Sequence, residues 1–152
     1  MIVTFCGHKN FCRQDDEEKR LTDLLRATLR EHPDAVFYLG DYGQFDLFCN
    51  SVLRALQKDF PRMRRVFVTP YLDPEYRHLW EAEGFYDEIL YPFHDPVLPR
   101  YAIDKRNRWM IERADLVIAH VDHDYGGAAK TVRHALRQKK RCHNLGILPL
   151  FP

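Results

Sequence analysis

The chain has 152 residues, 45% of them apolar and 13% aromatic, and its 23 Lys and Arg stand against 22 Asp and Glu for a formal net charge of +1. The length fits one compact domain, and the apolar share excludes wholesale disorder. Balanced charge argues against a protein whose main work is coating nucleic acid or an acidic membrane, so neither is expected as a partner.

In chain order, the apolar run from Met1 to Cys6 meets Gly7-His8-Lys9 too soon for a signal peptide or membrane span, and it reads as a strand over 2–6. Leu21, Leu24, Leu25 and Leu29 then repeat at helical spacing. A strand over 36–39 follows, and Asp41 with Gln44 has capping-box spacing for a helix carrying Phe45, Phe48, Cys49, Val52, Leu53 and Leu56. After a strand over 65–69, Asp73-Pro74-Glu75 opens a third helix. A strand over 88–91 leads into a loop marked by Pro92, Pro96 and Pro99 and running to Arg100. The remainder reads as a helix over 103–113, a strand over 116–121, a helix over about 127–139 and a strand over 142–147. The run Leu116-Val117-Ile118-Ala119 is apolar throughout, as in a central parallel strand covered on both faces. Cys6, Cys12, Cys49 and Cys142 form no CxxC pair and a domain with a full core needs no disulfides, which fits a reducing cytoplasm.

This alternation predicts an α/β, Rossmann-like three-layer sandwich with a mostly parallel central sheet. Parallel strands joined by right-handed crossovers end at one edge, where the loops after them converge. Gly7-His8-Lys9, Gly40-Asp41-Tyr42-Gly43, Thr69-Pro70-Tyr71 and the 120–127 loop are therefore expected together, with Cys142 and His143 at the opposite edge.

The most suggestive local element is Tyr125-Gly126-Gly127-Ala128-Ala129-Lys130-Thr131, where two glycines and small residues open a helix directly after a strand. Small residues let a ligand approach the backbone, and the free N–H groups of a first helical turn favour an anion, with Lys130 or Thr131 able to add to it. It is neither a Walker motif nor GxGxxG, and a ligandless turn fits the spacing equally well. Gly7 leaves room at the end of the first strand for a phosphate or sugar, and His8 could donate a hydrogen bond there; the plainer reading of His8 is a surface histidine with a local backbone bond. Asp46 could accept ribose hydroxyl protons or simply favour the helix dipole, whereas Asp41 reads as a cap. Arg106 and Asn107 offer a guanidinium for phosphate and an amide for a base or sugar; the plainer reading pairs Arg106 at the surface with Asp104 or Glu112. His120, Asp122, His123 and Asp124, with Cys6, His8 and Cys12, are metal-ligating types. Adjacent residues rarely converge on one ion, so no metal or other cofactor is expected. The basic 137–141 run reads as a solvated helix end.

Thr4-Phe5-Cys6-Gly7-His8, the Gly40 to Asp46 segment, Arg106-Asn107 with Met110, Ala114-Asp115 with Val117-Ile118-Ala119, and Gly126 to Thr131 followed by Asn144 form an ordered set spanning nearly the whole chain. That set resembles the SLOG superfamily, most closely its YpsA-type members of unknown function, and more distantly the LOG phosphoribohydrolases and the DNA-processing protein DprA. The resemblance implies one nucleotide-binding domain over 1–152, acting as sensor or regulator on a nucleotide or other phosphate-bearing small molecule, and homo-oligomers. It points to Gly7, His8, Gly40, Asp46, Arg106, Asn107, Gly126, Gly127, Ala128 and Thr131 as ligand-binding residues. The hydrolases carry PGGxGTxxE with a catalytic Glu. Here Tyr125 precedes the glycines, Ala129-Lys130 replaces Gly-Thr and Arg133 stands where that Glu would be. A guanidinium cannot do a carboxylate's work, so hydrolase activity is not carried over. A nucleotide-directed hydrolase of N-glycosidic or phosphoester bonds is the alternative, using Asp46, His8 or the acids near His120.

Overall fold

A computed structural model of the chain describes residues 1–41, 43–72 and 84–150. Its strands are β1 (Ile2–Gly7), β2 (Val36–Leu39), β3 (Arg64–Val68), β4 (Glu88–Leu90), β5 (Leu116–His120) and β6 (Arg141–Asn144). Its described helices are α1 (Glu17–Glu31), α2 (Gln44–Leu56), α3 (Pro99–Arg113) and α4 (Gly126–Arg137). The helix expected after Asp73-Pro74-Glu75 lies outside the described residues.

The strands form one sheet in the order β4-β3-β2-β1-β5-β6, with every pair parallel. The fold is therefore α/β and Rossmann-like. Alternation along β1 decides which layer each side chain joins: Val3 and Phe5 enter the core under α1 and α2, and Cys6 enters the one under α4. In the first layer Leu21, Leu25 and Leu29 of α1 meet Phe45, Cys49 and Leu53 of α2, all essentially inaccessible to water. On the opposite layer Ala128, Ala129, Val132 and Ala135 bring α4 close to Val117 and Ala119, while Met110 of α3 packs on Val66 and Val68. Every residue of β5 is buried, as its unbroken apolar run requires.

Two local readings are corrected. Asp41 does not cap α2: the N-cap is Gly43, held at φ +103°, and Asp41, itself at φ +54°, accepts a hydrogen bond from the Tyr86 hydroxyl. Helix α3 starts at Pro99, where a loop was expected, because a proline at the first helical position loses no hydrogen bond. At the other end of the chain β6 stops at Asn144, short of the strand expected to reach 147.

Strand order reverses at β1. Chain growth runs outward from β1 through β2, β3 and β4, then returns to place β5 on its other side. The connections leave β1 and β5 in opposite directions, which opens a crevice beyond their carboxyl ends.

Candidate functional site

A cleft of about 850 Å³ occupies that crevice. The ends of β1 and β5 form its floor, where Gly7 pairs in register with His120. Among the expected residues, Gly7, His8, Asp46 and the Arg106-Asn107 pair lie along it. Gly126, Gly127, Ala128 and Thr131 supply the wall made by the start of α4. Gly40 does not line the cleft but sits against Asp46 and Arg106, which do, and neither Thr69 nor Tyr71 reaches it, because β3 is two strands away from β1.

The roles differ in detail from those the sequence suggests. The space beside Gly7 is taken by the protein itself: a Cβ there would stand 2.3 Å from the Phe45 ring. Its missing side chain thus lets α2 close onto β1. Arg106 is no surface residue paired with Asp104 or Glu112. It is 2% exposed and donates through Nη1 to the carbonyls of Gly40 at 2.8 Å and Val68 at 2.7 Å, while Nε bonds Asn107 Oδ1 at 2.9 Å. The guanidinium ties the carboxyl ends of β2 and β3 to α3 and still borders the cleft. Gly40 is needed for that arrangement, since a Cβ there would meet Asp46 Oδ2 at 2.9 Å and Arg106 Cζ at 3.1 Å.

At α4 the backbone is open. Tyr125 stands at the N-cap, no side chain caps the first turn, and Gly126 adopts φ +88°, which side-chain-bearing residues rarely tolerate. A Cβ at Gly127 would meet nothing within 4 Å, so its main chain faces free space. Thr131 donates its hydroxyl proton back to Gly127 O at 2.9 Å, leaving its oxygen as an acceptor, and Lys130 turns away to pair with Asp104 at 3.1 Å. Arg133, in the position of the hydrolases' Glu, donates to Asp124 O at 2.7 Å and braces the preceding loop.

Three further features were not visible in the sequence. Glu17 Oε1 contacts His120 Nε2 at 2.7 Å with both side chains buried, and Asp122 Oδ2 lies 3.7 Å from the other ring nitrogen. Phe11 meets the same imidazole edge-on at 4.7 Å. The second feature is a column of rings: His8 stacks on His123 at 3.6 Å, and His123 stacks on Tyr125 at 3.9 Å. His8 Nε2 accepts the Asp122 N–H at 3.1 Å, and burial followed by the neighbouring His123 holds its pKa below the ordinary imidazole value, so the neutral ring is favoured. Third, Asn144 clamps the end of β5, accepting from Val121 N at 2.9 Å and donating to Val121 O at 3.0 Å. Ile147 N adds a bond to Asp122 Oδ1 at 3.0 Å. No spacing rule links Glu17 to His120 or Asn144 to Val121.

The thiol of Cys6 borders the cleft but donates to Ala128 O at 3.2 Å, and burial pushes its pKa far up, which disfavours the nucleophilic thiolate. Among the described residues no group of three or more His, Cys, Asp or Glu is arranged to hold a metal ion.

Two curated relatives align over most of the chain. One, a UPF0398 protein from Bacillus licheniformis, is 24% identical over 99% of this chain and 88% of its own length. The other, from Bacillus pumilus, is 27% identical over 85% of this chain and 77% of its own. The chain is similar to UPF0398 proteins. No family model matches it. In three dimensions it resembles DNA processing protein A (DprA): that of Helicobacter pylori, described for its single-stranded DNA binding mode, superimposes with a TM-score of 0.62 at 16% identity over 95% of this chain. That of Streptococcus pneumoniae gives 0.62 at 15% identity over 93%. The chain spans 64% and 49% of these two solved chains.

The DprA likeness overturns the expectation that nucleic acid is not a partner. Net charge averages the whole surface, whereas recognition uses the few groups of one cleft, so near-neutrality does not exclude it.

Described helices include none long and apolar enough to cross a membrane.

Proposed function

We propose that the chain is a single nucleotide-binding domain of the SLOG type, nearest its YpsA-like members, acting as a sensor or regulator in the cytoplasm. The ligand is a nucleotide or a nucleotide-derived molecule held in the 850 Å³ cleft. The observation that carries this is the meeting of β1, β5 and the uncapped start of α4 at the point where strand order reverses, the place where open α/β sheets bind ligands. Phosphate sits against the amides of Gly126, Gly127 and Ala128, with the Thr131 oxygen beside it. Asp46 and Asn107 face the sugar, and Gly7, Gly40 and Arg106 shape the wall behind. Four free cysteines, of which Cys6, Cys49 and Cys142 have their pKa raised by burial, fit a reducing compartment.

A second reading, in which the bound nucleotide is a unit of single-stranded DNA, is favoured by the likeness to DprA. Calorimetry of the purified chain with adenosine 5′-monophosphate and with a short 5′-phosphorylated oligodeoxynucleotide tests both. Binding of either, lost in Gly127→Leu without loss of fold, supports the cleft; binding unaffected by Gly127→Leu overturns it. Release of free base or phosphate during the titration would move the reading to a hydrolase using Asp46, His8 or the acids near His120.

A further inference from the structure

We propose that the His8-His123-Tyr125 column is the nucleobase platform of the cleft, with Tyr125 presenting the face on which a planar base stacks. This rests on the nucleotide reading above and assigns it a base-recognition subsite.

The rings come from two loops that the sheet topology brings together, His8 after β1 and His123 with Tyr125 after β5. They stand nearly parallel, at 14° between the first pair and 21° between the second. Hydrogen bonds fix the two imidazoles: His8 accepts the Asp122 N–H, and His123 Nδ1 lies 3.0 Å from Tyr125 O, to which it donates as Nδ1–H. The loop carrying the column is in turn held by Arg133 and by the bond from Ile147 N to Asp122. Tyr125 nevertheless remains 68% exposed. A large aromatic side chain held in one orientation with most of its surface in water is preordered for a flat partner, because its ordering entropy is already spent.

Position gives the platform its chemistry. All three rings border the cleft, and Tyr125 immediately precedes Gly126, whose amide begins the phosphate-facing turn. A ligand that engages both carries an aromatic base and an anionic group within one nucleotide's reach. Stacking uses the π-face common to every base, so a purine, with more ring to overlap, binds tighter than a pyrimidine, and the selection among bases is modest.

The test compares adenosine 5′-monophosphate, ribose 5-phosphate and a 5′-phosphorylated hexadeoxyadenylate on the wild type, Tyr125→Ala and Tyr125→Trp. The expected result is tighter binding of the nucleotide than of the sugar phosphate. Tyr125→Ala weakens the nucleotide about tenfold to a hundredfold, leaves ribose 5-phosphate unchanged, and is rescued by Tyr125→Trp. A mononucleotide preference identifies a free nucleotide as the source of the base, and a preference for the hexamer identifies a strand; both support the platform if Tyr125→Ala removes the gain. If wild type binds adenosine 5′-monophosphate, Gly127→Leu abolishes that binding and Tyr125→Ala leaves it intact, the platform is wrong while the nucleotide reading stands. No binding of any of the three overturns both.

Discussion

Glu17 and His120 lie 103 residues apart in sequence and meet at 2.7 Å beneath the cleft, each side chain almost wholly shielded from water. Glu17 opens α1 and also accepts the Gln14 N–H at 3.0 Å, so one carboxylate fixes a loop, a helix start and the last residue of β5. Removing either partner leaves a buried polar group unpaired. Glu17→Ala and His120→Ala are each expected to cost about 1–3 kcal/mol, and the double variant less than their sum. Urea unfolding of the four proteins in the cycle measures the coupling; strict additivity would mean that the contact contributes nothing.

Gly7→Ala should be among the most damaging single-methyl additions in the chain. The new Cβ would stand within 2.5 Å of three Phe45 atoms, including its Cβ, and relief requires α2 to move off β1. Overpacking of this kind costs about 3 kcal/mol. Because removing the ring relieves part of the clash, Gly7→Ala combined with Phe45→Ala loses less than the two changes separately. Thermal midpoints of the single and double variants distinguish this from a general weakness of β1.

The two glycines at the start of α4 predict opposite responses to alanine. Gly126 at φ +88° lies in backbone space that disfavours a side chain, so Gly126→Ala destabilises by roughly 1–2 kcal/mol. Gly127 has a helical position with open space around its missing Cβ, and Gly127→Ala stabilises by about 0.5–1 kcal/mol. Equal shifts of either sign in the melting temperature would contradict this difference in backbone geometry.

His8 links stability to pH. Its folded pKa is below the ordinary 6.5 because burial, and then His123 across the stack, disfavours the charged ring. The unfolded chain therefore takes up a proton that the folded chain resists. Stability is unaffected by this residue above about 6.5, falls as pH drops from there toward the lower folded value, and levels off below it. Melting temperature followed from about pH 7.5 to 5 should fall less steeply in His8→Asn than in the wild type; parallel curves would show that the ring titrates alike in both states.

The sequence was most legible where period and position act locally. The strand over 36–39 matches β2 in full, and the first and fifth strands match within a residue or so at their ends, because alternation and unbroken apolar runs are properties of neighbouring residues. Asp41 misled for the same reason: capping-box spacing is local, but the Tyr86 hydroxyl that claims its carboxylate is 45 residues away. Arg106 stands out in the sequence for its charge, but one-dimensional spacing leaves a solvent-facing position equally open, because it cannot show that the carbonyls of Gly40 and Val68 wait for the guanidinium in the interior.

What the sequence alone determined was the alternation of strands and helices, and with it the edge of the sheet at which the loops gather. It also marked Gly126 and Gly127 as a place where the backbone lies open. Long-range packing was needed to set Phe45 where a Gly7 side chain would stand, to bring Glu17 to His120, and to join His8 with His123 and Tyr125 in one column. The physical reason is range: helical and strand periods are set by neighbours a few residues apart, whereas a binding cleft is set by which distant side chains the parallel sheet brings within a few ångströms.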